Sequence, residues 1–381
     1  MERSGPPIRD VCVLVADEPL VEPIVFGEWR ITHRRYVVVA AIDADGRAGF
    51  AMADCRGAPV AEAIVALVRR FYAGAAPADA PRLFDAALAA NPATLASGVG
   101  LRALSLVDIA TWDLAAKQAG APGRRLLSSA PAATLVATAI AGYPPAASAD
   151  RVREECADLA ARGWRRIKLP IAPSRALTLD RLRAAAASGA VVGLDAAWTF
   201  RDGAAAAEFA REAGGLGLSW IEDPFLPGDV EALRAFRSRS DMTVAIGDEQ
   251  PEAWLPELLA GTGLVDVFRL DAGAMGGVTR MSRIAPRLAA TGVRLSSHAA
   301  GELHTEILLG LGIADAEAEW AAFDGGEGLG VAPRVPRIVD GRAGAVSDDP
   351  GFGVRLPAVD WMADHLVLDD GGLVAHLAGG A

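Results

Sequence analysis

From about residue 133 the chain alternates short β-branched or apolar runs with Ala/Arg/Leu-rich stretches of helical period. The runs are TLVATAI (134–140), RRIKLP (165–170), AVVGLDA (190–196), LSWIEDP (218–224), TVAIGDE (243–249), VDVFRLD (265–271), VRLSSH (293–298) and a weaker AEAEW (316–320). Between them lie amphipathic segments such as DRVREECADLAARG and GGVTRMSRIAPRLAATG, each closed by a glycine as helices commonly end. Eight strand-like runs alternating with helices predict an α/β fold, a (β/α)8 TIM-type barrel.

Residues 1–130 follow another pattern. RRYVVVAAIDADGRAGFAMAD reads as two strands joined at a DADG turn, and VAEAIVALVRRFYAG and LRALSLVDIATWDLAAKQAG read as helices. The tail, GFGVRLPAVDW and HLVLDDGG, reads as short strands that return to this first piece. The expected organisation is an α+β cap over 1–130, a barrel over 131–345 and a C-terminal segment over 346–381 that packs back on the cap.

Polar residues recur in phase with the barrel pattern. Lys168, Asp195, Glu222, Asp248, Asp271, His298 and Glu319 each stand at the C-terminal end of a run, separated by 27, 27, 26, 23, 27 and 21 residues. Barrel active sites form at that end of the strands, so the seven side chains are expected at one mouth.

Composition narrows the function classes. A 381-residue chain with 52% hydrophobic residues buries a large core, and its net charge of −11 argues against a nucleic-acid surface. No uncharged apolar run is long enough for a membrane span. The opening MERSGPPIRD shows no basic region followed by an apolar one, and Cys12, Cys55 and Cys156 follow no metal or disulfide spacing, so a cytoplasmic protein with reduced thiols is expected. Of 37 basic residues only Lys117 and Lys168 are lysines. Lys117 is expected on a solvated helix face, whereas Lys168 ends a strand.

Asp195, Glu222 and Asp248, on three successive strands, offer an all-oxygen ligand set suited to Mg2+ rather than Zn2+. Without a cation three converging carboxylates repel, so the alternative is a network neutralised by arginine. Asp271 and His298, on adjacent strands, are expected to pair, the carboxylate fixing the imidazole tautomer and leaving the other nitrogen as a base. His304, His365 and His376 are assigned to structural roles. Glu249 is as suited to a hydrogen-bonding role beside Asp248 as to metal ligation. The stretch VEPIVFGEWRITHRR (21–35) reads as a loop, with Phe26, Glu28, Trp29, Arg30 and His33 as candidate substrate contacts.

The order Lys, Asp, Glu, Asp, Asp with a following GG, His, Glu resembles the enolase superfamily, within it the mandelate racemase/muconate lactonizing enzyme family and its mandelate racemase-like branch. SLVDIATWDLAAKQAGAPGRRLL resembles the helix that leads into that family's barrel, and WIEDP, AIGDE, DAGAMGGV and SSH resemble its second and third metal ligands and its catalytic pair. The resemblance implies a modified barrel with a capping domain, one Mg2+ per subunit, a small-molecule carboxylate as substrate, a homo-oligomer, and removal of the proton α to the carboxylate. Lys168 is then expected to offset charge on that carboxylate, and Glu319 to act as an acid opposite the metal. Two departures matter. The branch's Lys-x-Lys reads Lys168-Leu169-Pro170, and Pro170 carries no proton; the lysine that muconate-type relatives place before the GG is Ala274. One face of the substrate therefore has a base, His298, and the other has none. The leading expectation is an acid-sugar dehydratase, a lyase forming a 2-keto-3-deoxy acid. Alternatives are a racemase or epimerase, which needs bases on both faces, and a non-catalytic binding descendant. A metal-dependent barrel hydrolase would want His-x-His after the first strand, and the chain has none.

Overall fold

The computed structural model describes residues 5–249, 252, 254–321 and 334–379. Three strands open the chain: β1 (Ile8–Phe26), β2 (Trp29–Asp43) and β3 (Ala48–Asp54). The β2–β3 turn forms at the DADG stretch, where the Asp43 carboxylate accepts from the amides of Asp45 and Arg47 at 3.0 and 2.9 Å. The apolar run of β2 buries both faces of the strand. Val37, Val39 and Ala41 join the main core, and Val38, Ala40 and Ile42 join a second core with Cys12, Leu14, Met362 and Leu373. This period-2 division explains why the run shows no polar alternation: the sheet is covered on one side by the helix Gly98–Ala119 and on the other by the C-terminal tail. Gly49 permits the closest approach, since a Cβ there would lie 2.2 Å from the carbonyl oxygen of Ala110.

The barrel follows. Its strands are β4 (Leu135–Ile140), β5 (Arg166–Pro170), β6 (Val191–Asp195), β7 (Leu218–Glu222), β8 (Thr243–Ile246), β9 (Val267–Leu270), β10 (Arg294–Ser297) and β11 (Glu317–Ala321). Each is parallel to its neighbour, and β11 pairs with β4, which closes the ring. A helix precedes each of β5 to β11. After β11 come two short strands, β12 (Ile338–Val339) and β13 (Arg342–Ala343), the latter antiparallel to β4, so the eight-stranded ring carries a non-barrel addition at its seam. β14 (Leu366–Asp370) then pairs with β1 and completes a cap sheet of order β14-β1-β2-β3. The protein is a modified TIM barrel with an α+β cap built from both ends of the chain.

Two expectations change. The stretch 21–35 is not a loop: β1 and β2 continue through it as a hairpin, pairing Phe26 with Trp29 and Ile24 with Ile31 across Gly27, whose φ is +55°. Its β-branched residues favour a ribbon, with Glu22, Glu28 and Arg30 on the outer face and Arg34 buried. Lys117 is not on a solvated face. Its ammonium pairs with Asp113 at 2.6 Å, donates to the carbonyl of Ala48 at 3.0 Å and lies 4.5 Å from the Phe50 ring centre, tying the cap helix to β3.

Candidate active site

The barrel strands bring the seven polar side chains into one cluster, with Asp195, Asp248, Asp271 and His298 lining the mouth and Lys168, Glu222 and Glu319 beneath it. Asp195 and Glu222 are the last residues of β6 and β7, and Asp248 stands two residues beyond β8. One oxygen from each of these three carboxylates lies within 4.8 Å of the others. Asp223 fixes the third, accepting from the amides of Gly247 and Asp248 at 3.0 and 2.9 Å.

Cations lie among them. Lys168 contacts Glu222 and Glu319 at 2.5 Å each and is buried. Arg269, on β9, reaches Asp248 at 2.7 Å, Glu222 at 3.1 Å and Glu319 at 2.9 Å, and donates to the Ser296 hydroxyl at 3.1 Å. Sequence reasoning passed over Arg269; its signal was a charged residue in the middle of a run, VFRL, whose other residues are apolar. The two readings of the carboxylate cluster, cation site and arginine-neutralised network, thus meet in one place. Charge decides between them. The carboxylates Asp195, Glu222, Asp223, Asp248, Asp271 and Glu319 outnumber Lys168, Arg269 and His298, and burial together with the neighbouring carboxylates raises Asp195, Glu222 and Asp223, an excess of acidic groups that a divalent ion would offset. Glu222 Oε2 is moreover buried without a hydrogen bond of proper geometry. The donor set is all oxygen, so the residues fit Mg2+.

His298 Nδ1 lies 3.0 Å from Asp271 Oδ2, and Nε2 points toward Asp248 Oδ2 at 3.6 Å. Asp271 also accepts from the Gly273 amide at 2.7 Å. A proton on Nδ1 leaves Nε2 free to act as base. Burial alone would lower the His298 pKa, but the Asp248 and Asp271 carboxylates outweigh it and raise it to about 9. Burial alone would raise Asp271, and its partner His298 instead holds it down at about 2. His304 is structural, as expected: it accepts from the Ala272 amide at 2.9 Å and donates to the Ala299 carbonyl at 2.8 Å.

Glu319 is buried in the floor of the site. Burial would raise its pKa, but Arg269 and Lys168 more than offset that and hold it below the ordinary carboxylate range. Its two oxygens are engaged by these cations, Lys168 at 2.5 Å and Arg269 at 2.9 Å. Lys168 likewise sits beneath the mouth, and neither it nor Glu319 lines the cavity. The compact ammonium fits between two carboxylates where a planar guanidinium fork would need more room.

The cavity above holds about 250 Å³. Its barrel side presents Asp195, Asp248, Asp271 and His298, and its cap side Phe26, Trp29, Arg34, Arg56 and Arg102. Of the candidate contacts, Phe26, Trp29 and Glu249 line it, while Glu28, Arg30 and His33 lie on the exposed face of the hairpin. Trp29 packs between Phe26 and Trp198, with ring centres 5.8 Å apart in both cases. The backbone is strained at this rim: Arg56, Ala197, Trp198, Asp223, Glu249, Ala299 and Ala300 all have positive φ. Such conformations cost energy and persist where surrounding structure enforces them, commonly at functional sites.

The GG motif after Asp271 positions the cap against the barrel. Gly277 has φ +68°, and a Cβ there would lie 2.3 Å from Asp108 of the cap helix. Asp108 accepts from the amide and hydroxyl of Thr279 at 2.9 and 2.6 Å.

Comparison with known proteins agrees with this geometry. Residues 151–359 match the family model "Enolase C-terminal domain-like". The chain is 29% identical to a D-gluconate dehydratase of Thermoproteus tenax over 295 residues, 73% of this chain and 59% of that protein. It is also 29% identical to a hydrophobic dipeptide epimerase of Roseobacter litoralis over 226 residues, 57% of this chain and 63% of that one. The chain thus spans about three fifths of the length of these two relatives. In fold it is similar to the L-talarate/galactarate dehydratase of Salmonella typhimurium LT2, with a TM-score of 0.80, 23% identity, and 95% and 92% of the two chains covered. That enzyme has also been solved liganded with Mg. No helix among the described residues is long and apolar enough to cross a membrane. The family model covers more than half of the sequence, and the chain belongs to the enolase C-terminal domain-like family.

Proposed function

We propose that this protein dehydrates an acid sugar to a 2-keto-3-deoxy acid, beginning with removal of the proton α to the carboxylate, and that Asp195, Glu222 and Asp248 hold one Mg2+ in each subunit. The observation that carries the reading is the placement of His298, with one nitrogen on Asp271 at 3.0 Å and the other 3.6 Å from Asp248. Base and ligand set thereby face the same point of the cavity. When bound, Mg2+ supplies Lewis acidity toward the substrate carboxylate.

The residues of the chain do the rest. His298 Nε2 takes the α-proton, and Asp271 holds the ring in the required tautomer and stabilises the imidazolium that forms. Asp248 is the strongest support for the imidazolium in the free protein; a cation held by Asp195, Glu222 and Asp248 would offset that support and favour the neutral imidazole as base. Lys168 and Arg269 sit behind Glu222, Asp248 and Glu319 and keep the floor from accumulating charge as the substrate carboxylate becomes more negative. The β-hydroxyl then leaves as water, taking the proton held by His298, and the enol ketonises. Pro170 ends β5 beside Asp195 and brings no titratable group to the other face, which favours a one-base dehydration over racemisation.

The test is a panel of acid sugars incubated with Mg2+ in D2O. Dehydration gives a 2-keto-3-deoxy acid carrying deuterium at C3. A deuterated C2 epimer without keto acid would replace the dehydratase reading by an epimerase.

A further inference from the structure

The cap side of the cavity holds more positive charge than the carboxylates facing it compensate. Among the described lining residues the charged groups are Arg34, Arg56, Arg102, Asp54, Asp195, Asp248, Glu249 and Asp271, with His298. Asp195 and Asp248 belong to the cation site and Asp271 to His298. Arg34 pairs with Asp54 at 3.0 Å. Glu249 alone is left for two guanidiniums, Arg56 at 2.7 Å and Arg102 at 3.2 Å. One positive charge is in surplus.

That surplus is held in place. The Arg56 guanidinium lies 4.6 Å from the Trp29 ring centre and 5.8 Å from that of Trp198, so aromatic faces fix its plane. Arg102 is anchored by donation to the Asp54 carbonyl at 2.9 Å, and its charge is close enough to help hold Asp271 ionised. Arg56, Arg102 and Glu249 also line a second cavity of about 260 Å³ behind them, so they form a partition with open space on both sides. A guanidinium pair sharing one carboxylate beside open space is arranged to accept a second anion.

We propose that Arg56 and Arg102 form an anion subsite for the far end of the substrate, so that the preferred acid sugar is a dicarboxylate, with one carboxylate at the cation site and the other at this pair. The proposal deepens the dehydratase reading and rests on it for the identity of the near end. A distal carboxylate brings Arg56, Arg102 and Glu249 from a charge of +1 to neutrality; a distal hydroxymethyl group leaves the surplus in place.

The experiment uses matched pairs that differ only at the far end, galactarate against galactonate and glucarate against gluconate. Binding is read by calorimetry on the Mg2+-supplied His298→Asn protein, and turnover as keto-acid formation by the unsubstituted enzyme. The diacid of at least one pair should bind about 30-fold more tightly than its monoacid, in the range of charge-assisted hydrogen bonds. Arg102→Gln and Arg56→Gln, added separately, should bring that ratio toward one. Glu249→Gln, which releases the second guanidinium, should raise it, a direction that misfolding cannot imitate. Equal binding within every pair, or a ratio that survives both arginine substitutions, overturns the subsite. Selective diacid binding without keto acid keeps the subsite and removes the dehydratase reading; keto acid formed from both members of a pair with equal binding does the reverse.

Discussion

At the floor of the cavity Lys168, Glu222, Arg269 and Glu319 are no more than 3% exposed, and every one is in ion-pair contact with at least two others or with Asp248. At the cap side, side-chain exposure is 31% for Arg56, 14% for Arg102 and 17% for Glu249, and one carboxylate serves two cations. The floor comes entirely from barrel strands, whose positions are set by the closed ring. The cap side comes from a hairpin, the turn after β3, a helix and two barrel loops, those of Trp198 and Glu249, joined chiefly by aromatic stacking and shared ion pairs. A saturated, buried network suits groups that must not move while charge develops; a partly open, incompletely neutralised wall suits recognition. The difference teaches that in this molecule chemistry and selection are carried by separate parts of the chain.

The largest effect should come from the base. His298→Asn is expected to lower kcat and α-proton exchange by about a thousandfold or more, while calorimetry shows Mg2+ binding kept. Exchange at the original rate would place the chemistry outside the barrel strands and break the division.

The floor is tested next by Arg269→Met. Removing one member of a buried ion network destabilises by about 3–5 kcal/mol, so the melting temperature of the metal-free protein should fall by several degrees. The stabilisation gained on adding Mg2+ should grow, because the floor now carries one more uncompensated negative charge. An unchanged metal-induced shift would mean that Arg269 and the cation do not answer the same charge.

Trp29→Ala probes the other wall. Loss of the surface that holds the Arg56 guanidinium should raise KM about tenfold and leave kcat within a factor of three, the signature of binding energy that is uniform between ground and transition states. A fall in kcat with KM unchanged would give the cap a part in the chemistry.

The smallest effect concerns the seam. Burial, partly offset by the Thr279 hydrogen bonds, pushes Asp108 up from 3.8 to about 7. A folded-state pKa above the unfolded one adds stability that is complete at low pH and is lost as pH rises toward 7. Asp108→Asn should therefore flatten the dependence of melting temperature on pH between about 4 and 7. An identical slope in both proteins would show that the cap–barrel seam does not titrate.

Sequence by itself determined the barrel, its order and its mouth. Strand ends spaced by one βα unit force Asp195, Glu222, Asp248, Asp271 and His298 to converge, because a closed parallel ring admits no other side for them, and Pro170 excludes a base at its own position through covalent chemistry alone. Tertiary structure decided what was not periodic. Whether 21–35 is a loop or a ribbon depended on which face met the barrel: Trp29 and Ile31 turned inward and Arg30 outward, and beyond the irregularity in β1 between Pro19 and Ile24, Arg34 faces the cavity and His33 is exposed. The charge balance of the floor depended on Arg269, whose guanidinium crosses from β9 to three carboxylates on other elements and, with Lys168, draws the Glu319 pKa down against the effect of its burial. Local pattern fixes where a side chain starts; the field it experiences is a sum over neighbours distant in sequence, and only the folded chain brings those neighbours together.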